Sequence, residues 1–444
     1  MTKIVTTIGP SSDGKNLNYF VKNSDIIRLN LSHGTFSWHK KTINQIRKID
    51  KNKLILVDIP GIKPRTLNNE DLDIKKGQVL QFTDNKLNIQ ENIIKISNPI
   101  PKNIKRNKYF YLSDGLIKLK LSKFKNKVLT GVALQNFVLK PKKGLNIPFS
   151  EYDNKLQEKL YFTNLKKISK LNIDCVGLSF IQNLSVLSKI KKQYPNLILV
   201  SKIENFLGYK NRKEIIKYSD TIMIDRGDLS AEVGLNQLFK FSENIIVDAK
   251  KAGTPVIVAT ENLNSLITNT QPTKSDIVNL EYYLQKKIEF MMLSDETATS
   301  NYAKNTIRWL RLYLSKNKFQ NKERQLLKIE NLISNIKNET VILFSKKGYF
   351  YEKLNFKSLN NLVLFTENRN LIKKIQLKYN SVAYYVKFPK KYLYDFLYKN
   401  LKKYQSSIFK SNNKAYLINV VFPRKNSRAN SLSIVEKKDF DNVK

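Results

Sequence analysis

Short apolar runs that end in charged or hydroxyl residues recur along this chain, and longer helix-like stretches separate them. The runs are Lys3–Ile8, Ile26–Leu31, Leu54–Asp58, Cys175–Phe180, Leu197–Lys202, Thr221–Ile224, Pro255–Ala259 and Phe290–Leu293. Eight strands with intervening helices predict an α/β fold that contains a (β/α)8 barrel. Because side chains at the strand ends of such a barrel meet on one face, those ends carry the candidate site.

The interval between the third and fourth runs is too long for a single crossover helix. Residues 66–146 within it show many short strand patterns, namely Leu80–Phe82, Tyr109–Leu112, Ile117–Leu121 and Val128–Val132. This predicts a small all-β domain inserted into the barrel. The barrel would then comprise 1–65 and 147–320, and a further α/β pattern predicts a C-terminal domain over 321–444.

Composition limits the class of protein and its partners. Lysine and arginine number 79 against 37 acidic residues, which gives a net charge of +42. Such charge is typical of proteins that bind polyanions. The basic residues are nevertheless spread over all regions without a nucleic-acid-binding motif, so compositional drift is the favoured explanation and nucleic acid is not an expected partner. No run is long enough to span a membrane and no signal peptide precedes the first strand, which predicts a cytoplasmic protein.

The pattern with the clearest chemistry joins a lysine and two acids at the ends of neighbouring runs. Glu204 and Asp228 offer the oxygen ligands that a hard divalent cation prefers. Lys202 is placed to neutralise charge that develops on a phosphoryl or enolate group. In the alternative interpretation, the acids only cap helices and the lysine is a solvated surface charge. The recurrence of such segments in order favours a site.

Five segments in sequence resemble motifs of the pyruvate kinase family. They are Thr2–Ser12, Arg28–Gly34, Lys202–Asn205, Arg226–Leu229 and Ser294–Ala298. The resemblance covers nearly the whole chain and implies the family's barrel and C-terminal domain. It also implies that the inserted domain over 66–146 is the family's small, barrel-like lid. It also implies phosphoryl transfer from phosphoenolpyruvate to ADP in glycolysis, giving pyruvate and ATP.

The resemblance implies a role for each matching residue on the phosphoenolpyruvate side. Glu204 and Asp228 would bind Mg²⁺ or Mn²⁺, Lys202 would stabilise the transferred phosphoryl group and the enolate, and Arg28 would bind the phosphate. The backbone amides of Gly227 and Asp228 would hold the substrate carboxylate. Thr260 would hydrogen-bond that carboxylate and help to protonate the enolate, with Ser294 and Glu296 extending the proton relay.

On the nucleotide side, Arg65 and Lys143 resemble the family's ADP-phosphate ligands. The residues that match the lining of this side are Pro10, Asn30, Ser32 and His33. Arg65 and Lys143 have a simpler interpretation as surface cations, and His33 as a structural loop histidine.

Two departures from the family concern a monovalent cation. Asn30, Ser32 and Asp58 match three potassium ligands, but Ile59 replaces a threonine and Lys63 replaces an acid. In the family, a lysine at this position accompanies loss of the potassium requirement. Lys63 is therefore expected to act as a fixed cation, so that K⁺ is not required. The alternative is that Lys63 points to solvent and the pocket still binds K⁺.

Other departures place acids where the family has neutral residues. Asp225, Glu261 and Asp295 replace alanine, glutamine and glycine, and the helix at 279–287 has lost the family's small residues near a subunit contact. Formation of a homo-oligomer is therefore left open.

Three hypotheses on function remain. The first is an active, potassium-independent pyruvate kinase, and the second is a non-catalytic homologue that regulates or binds polyanions. The third is a barrel enzyme that acts on an enolpyruvate or oxoacid without a nucleotide. Arg65 and the inserted domain argue against the third.

Overall fold

The computed structural model describes residues 2–85, 93–104, 107–113, 115–316, 339–348, 351, 361–377, 381–389, 394–410, 412–419 and 431–440. Lys3–Tyr313 forms one compact unit, and Leu314–Lys444 with the first two residues forms the other. The predicted boundary between 320 and 321 lies outside the described residues.

Eight parallel strands close the barrel predicted from the apolar runs. They are β1 (Lys3–Thr7), β2 (Ile26–Asn30), β3 (Leu54–Ile59), β12 (Cys175–Leu178), β13 (Ile198–Lys202), β14 (Thr221–Asp225), β15 (Val256–Ala259) and β16 (Phe290–Leu293), and the circle closes between β1 and β16. Most of their residues are buried, as expected for parallel strands covered by helices. The predicted (β/α)8 fold is confirmed, and each strand lies within two residues of its predicted bounds at either end.

The helices around the barrel follow their strands in sequence. They are α1 (Leu17–Asn23), α2 (Phe36–Ile49), α3 (Asn154–Ile168), α4 (Leu184–Gln193), α5 (Phe206–Lys210), α6 (Arg212–Tyr218), α7 (Arg226–Val233), α8 (Leu235–Ala252), α9 (Lys274–Gln285), α10 (Asp295–Ala298) and α11 (Ala303–Lys316). A capping box between Thr273 and Asp276 fixes the start of α9. No helix of the described residues is long and apolar enough to cross a membrane.

The segment between β3 and α3 folds as β-structure. Its strands are β4 (Leu72–Ile74), β5 (Val79–Thr83), β6 (Ile93–Lys95), β7 (Tyr109–Leu112), β8 (Ile117–Lys125), β9 (Val128–Ala133), β10 (Phe137–Leu139) and β11 (Leu145–Asn146). Six form a sheet and β4 pairs with β10, around a core that includes Phe82 and Phe110. At the hairpin before β8, Gly115 lies against Ala231 of α7, so the insertion contacts the helix that carries Asp228.

The C-terminal unit contains a five-stranded sheet. Its strands are β17 (Thr340–Phe344), β18 (Asn361–Thr366), β19 (Ser381–Tyr385), β20 (Lys414–Asn419) and β21 (Ser431–Glu436), and its helices are α12 (Arg369–Gln376), α13 (Tyr394–Lys403) and α14 (Gln405–Ile408). Only the pairing of β20 with β21 is antiparallel. Successive residues of β17 enter two different apolar clusters, because neighbouring side chains of a strand face opposite sides.

Candidate active site

A cavity of about 680 Å³ is lined by residues from the ends of the barrel strands. Its volume is within the range of small-molecule sites. The predicted site residues among its lining are Pro10, Arg28, Asn30, His33, Arg65, Gly227, Asp228, Thr260, Ser294 and Glu296. The fold therefore brings the residues expected to bind phosphate, carboxylate and nucleotide to one cavity. The predicted site residues that are not among the lining residues are Ser32, Asp58, Lys63, Lys143, Lys202 and Glu204.

The Lys202 ammonium lies at the centre of a buried ionic cluster. Its nitrogen is 3.1 Å from Glu204, 3.1 Å from Asp225 and 3.3 Å from Asp58, and it donates a hydrogen bond to Ser179 Oγ. Lys202 is the last residue of β13, so the strand end sets its position. Burial opposes its charge, but the three carboxylates overcome this and raise the pKa of Lys202 well above its ordinary value. A buried ammonium held in place is suited to stabilise developing negative charge.

Asp58 ties this cluster to Arg28. Arg28 donates two hydrogen bonds to Asp58 Oδ2, at 3.0 and 2.7 Å, and a third to Thr7 Oγ1. Burial opposes ionisation of Asp58, but Lys202 and Arg28 lower the pKa of its carboxyl below the ordinary value. A side chain at Gly177 would come within 2.6 Å of Asp58 Oδ1, so this close approach requires glycine. Arg28 is thus oriented before any anion binds.

Three carboxylates could hold a metal ion. One oxygen each of Glu204, Asp225 and Asp228 lie within 4.8 Å of one another. Glu204 is fully buried, and its Oε2 accepts no hydrogen bond, although it is ion-paired with Lys202 at 3.1 Å. Burial raises the pKa of Glu204, an effect that a bound cation would counter. The donor set is all oxygen and anionic, so it fits Mg²⁺ or Mn²⁺.

Thr260 faces the start of α7. The Gly227 amide donates to Thr260 Oγ1 at 3.0 Å, and that hydroxyl donates to Ala259 O at 2.7 Å. Thr260 has a φ of 62°, an unfavourable conformation for a β-branched residue and one that occurs at functional sites. The Gly227 amide, which was expected to bind the substrate carboxylate, is therefore already hydrogen-bonded to the Thr260 hydroxyl.

Ser294 directly follows β16, the neighbour of the strand that precedes Thr260, and is hydrogen-bonded to Glu296 of α10. The Ser294 amide donates to Glu296 Oε2 at 2.7 Å, while Leu263 donates to Oε1. Glu296 is buried, and this burial raises the pKa of its carboxyl. Its carboxylate thus orients the turn before α10, and the Ser294 side chain borders the cavity.

On the predicted nucleotide side, Arg65 and His33 both line the cavity, and Arg65 is exposed. Burial and the nearby Arg65 cation lower the pKa of His33, which favours the neutral imidazole. The Asn30 side chain accepts a hydrogen bond from the Ser32 amide at 3.0 Å. The Lys143 backbone pairs with Thr66.

Trp38 is a cavity residue that the sequence patterns do not indicate. It lies in α2, and its indole N–H donates to Asp13 Oδ2 at 2.6 Å. The Asp13 carboxylate therefore fixes the orientation of the ring. The signal for Trp38 in the sequence is its position five residues beyond His33.

Lys63 is buried and bonded to a predicted metal ligand. Its Nζ lies 2.5 Å from Asp228 Oδ1, and a side chain at Gly144 would come within 2.7 Å of that Nζ. The expectation that Lys63 points to solvent, made in the alternative interpretation, is wrong because the residue is 3% exposed. The absence of a K⁺ requirement stays a prediction.

The barrel-domain model of pyruvate kinase matches residues 1–307 of this chain, which is more than half of it. The chain belongs to the pyruvate kinase family. It is 30% identical over 314 residues to a pyruvate kinase of Thermococcus litoralis, covering 68% of this chain and 66% of the relative. It is 31% identical over 340 residues to one of Staphylococcus saprophyticus, covering 70% and 56%. The matched segments thus span less than two thirds of these relatives' lengths.

The three acids that depart from the pyruvate kinase pattern behave differently. Asp295 starts the short helix α10 without a positive φ, so no glycine is needed there. Glu261 is exposed at the edge of the cavity. Asp225 is buried and faces Lys202, which compensates its charge.

Arg226 contacts helix α9, which differs from the family pattern over residues 279–287. It donates to Asn279 Oδ1 at 2.6 Å and stacks over the ring of Tyr283. It also donates to the carbonyl of Thr260. The divergent residues of α9 therefore help to position Thr260 in this chain.

Proposed function

We propose that this chain is a pyruvate kinase that transfers the phosphoryl group of phosphoenolpyruvate to ADP. The observation that carries the proposal is the buried Lys202 ammonium, which is ion-paired with Glu204 and Asp225. Asp225 lines the same cavity as Arg28 and Asp228, so this ammonium lies directly behind the cavity wall. Phosphoryl transfer requires positioning and charge neutralisation rather than covalent help from the protein, and this arrangement supplies both. On this proposal the substrates are phosphoenolpyruvate and ADP.

Two fixed cations would act on the phosphoryl group. Arg28 is held by Asp58 and Thr7, so its remaining donor capacity can bind a phosphate oxygen without a loss of side-chain entropy. Lys202 would stabilise the phosphoryl group in transit and the enolate oxygen left behind. The phosphorus–oxygen bond to the enol breaks as the bond to the ADP β-phosphate oxygen forms.

The start of α7 would bind the substrate carboxylate. An incoming carboxylate would accept hydrogen bonds from the backbone amides of Gly227 and Asp228. It would thereby replace the Thr260 hydroxyl, which accepts the hydrogen bond of the Gly227 amide in the present structure. Thr260 would then donate to the carboxylate, and the enolate carbon would receive its proton from this side of the cavity. Ser294 and Glu296 would carry that proton from solvent.

Glu204 and Asp228 would hold the divalent ion, Mg²⁺ or Mn²⁺. When bound, such an ion supplies Lewis-acid neutralisation of the phosphoryl oxygens. Arg65 would contact the ADP phosphates, with Lys143 as a second cation, and Pro10, Asn30, Ser32 and His33 would line the nucleotide side. K⁺ would not be required, since the buried Lys63 ammonium adds a permanent positive charge to the site. We place the reaction in glycolysis and the protein in the cytoplasm.

A non-catalytic homologue is the second candidate. It is favoured by Asp225, whose carboxylate faces the catalytic lysine, and by the Gly227 amide that Thr260 already occupies. An assay with phosphoenolpyruvate, ADP and Mg²⁺ in sodium buffer separates the two. Pyruvate, followed by lactate dehydrogenase, and ATP, followed by luciferase, are expected in equal amounts. Binding of phosphoenolpyruvate without formation of either product would favour the second candidate.

A further inference from the structure

Asp225 has a position at which an aspartate normally caps a helix. It is the residue before α7, where a carboxylate usually accepts an amide of the first turn and stabilises the helix by about 1 kcal/mol. The Asp225 side chain makes no such hydrogen bond. Its carboxylate is directed elsewhere.

The Asp225 carboxylate lies inside the ionic cluster. Its Oδ2 is 3.1 Å from Lys202 Nζ, and one of its oxygens is within 4.8 Å of oxygens of Glu204 and Asp228. Its Oδ1 is also close to the backbone of Gly227, because a Cβ atom added to that glycine would lie 3.7 Å from it. Glu204, Asp225 and Asp228 carry three negative charges, whereas Lys202 and Lys63 supply two positive ones, so one negative charge remains for a bound cation to neutralise.

The two metal ligands taken from the family are not equivalent in this chain. Asp228 is ion-paired with the buried Lys63 at 2.5 Å, which offsets its charge. Glu204 is fully buried and its Oε2 accepts no hydrogen bond, although Lys202 lies 3.1 Å away. Lys63 offsets one negative charge of the site and Asp225 adds another. Lys202 offsets the charge of Asp225 only in part, because the same ammonium also pairs with Glu204 and Asp58.

We propose that Asp225 is a third carboxylate ligand of the divalent-ion site. Its negative charge makes up for that of Asp228, which the ion pair with Lys63 offsets. This rests on the metal site of the proposed function.

Titration of the full chain with Mn²⁺, followed by electron paramagnetic resonance without phosphoenolpyruvate or ADP, tests the proposal. Asp225→Asn and Asp225→Ala should each weaken Mn²⁺ binding by roughly ten- to a hundredfold. Glu204→Gln is the positive control and should weaken it as well. Glu261→Gln removes an acid from the same cavity outside the cluster, and should leave affinity unchanged.

Unchanged or tighter Mn²⁺ binding by both Asp225 variants, with native circular dichroism, would show that Asp225 only neutralises Lys202 and would overturn the inference. Unchanged binding by Glu204→Gln would overturn it too, because the ion would then bind elsewhere. Turnover of the same preparations keeps the two proposals apart. Weakened Mn²⁺ binding in a chain whose wild type forms no ATP would support the third ligand and overturn the proposed function.

Discussion

Lys63 Nζ lies 2.5 Å from Asp228 Oδ1, so a buried ammonium contacts a carboxylate expected to bind the divalent ion. The two residues are 165 positions apart and come from the β3 exit and the first turn of α7. Ion binding at Asp228 must therefore either share this carboxylate with Lys63 or move Lys63 away. This relationship links the predicted potassium independence to the divalent-ion site.

Potassium should not activate the enzyme. Because Lys63 supplies a permanent positive charge, exchange of NaCl for KCl at fixed ionic strength should change turnover by less than about twofold. Lys63→Glu should impair turnover in sodium and recover in potassium, whereas Lys140→Met removes an exposed lysine and should behave as wild type. Strong activation of the wild type by K⁺ would contradict the assignment.

The Thr260 hydroxyl should contribute to binding of the substrate carboxylate. Thr260→Ala should lower kcat/KM by roughly tenfold or more, because the charged substrate carboxylate loses a hydrogen-bond donor. Thr260→Ser keeps the hydroxyl and is the matched control, since both variants relieve the same β-branched strain at a φ of 62°. Equal kinetics for the two variants would remove the hydroxyl from the mechanism.

Glu232 should make the barrel less stable as the pH rises. It accepts hydrogen bonds from Tyr152 and Asn146, and burial raises the pKa of its carboxyl to about 7. The folded state therefore binds this proton more tightly than the unfolded state, in which the carboxyl has its ordinary pKa of 4.5. The free energy of unfolding is highest below that pKa and falls as the pH rises to about 7, by up to about 3 kcal/mol.

Glu232→Gln keeps an acceptor for both donors and does not titrate. The difference in unfolding free energy between this variant and the wild type should therefore widen from pH 4.5 to 7 and then level off, as urea titrations at several pH values would show. A constant difference over this range would mean that Glu232 titrates near its ordinary pKa.

The barrel could be predicted because its strands are short apolar runs with helical stretches between them. Those runs also place Lys202, Glu204 and Thr260 at strand ends, so their proximity followed from the fold. The direction of long side chains did not follow. Lys63 reaches Asp228 only because Gly144 leaves room for its stem, and that contact depends on packing between distant segments.

Asp225 and Trp38 illustrate the same limit. The sequence indicates that Asp225 adds a negative charge near the substrate, but an aspartate before a helix is equally suited to cap it. Only the structure shows the absent cap and the contact with Lys202. Trp38 carries no motif of its own, and its place in the cavity depends on the hydrogen bond to Asp13.

ATP formation by Lys202→Met tests the central claim most directly. Removal of this cation should lower ATP formation from phosphoenolpyruvate and ADP on the order of a thousandfold, since the charge developing in transfer loses its fixed counterpart. The fold should persist with lower stability, because buried carboxylates lose their ion-pair partner. Lys210→Met, at an exposed lysine of α5, should match the wild type. ATP formation by Lys202→Met within about tenfold of the wild type would contradict the account.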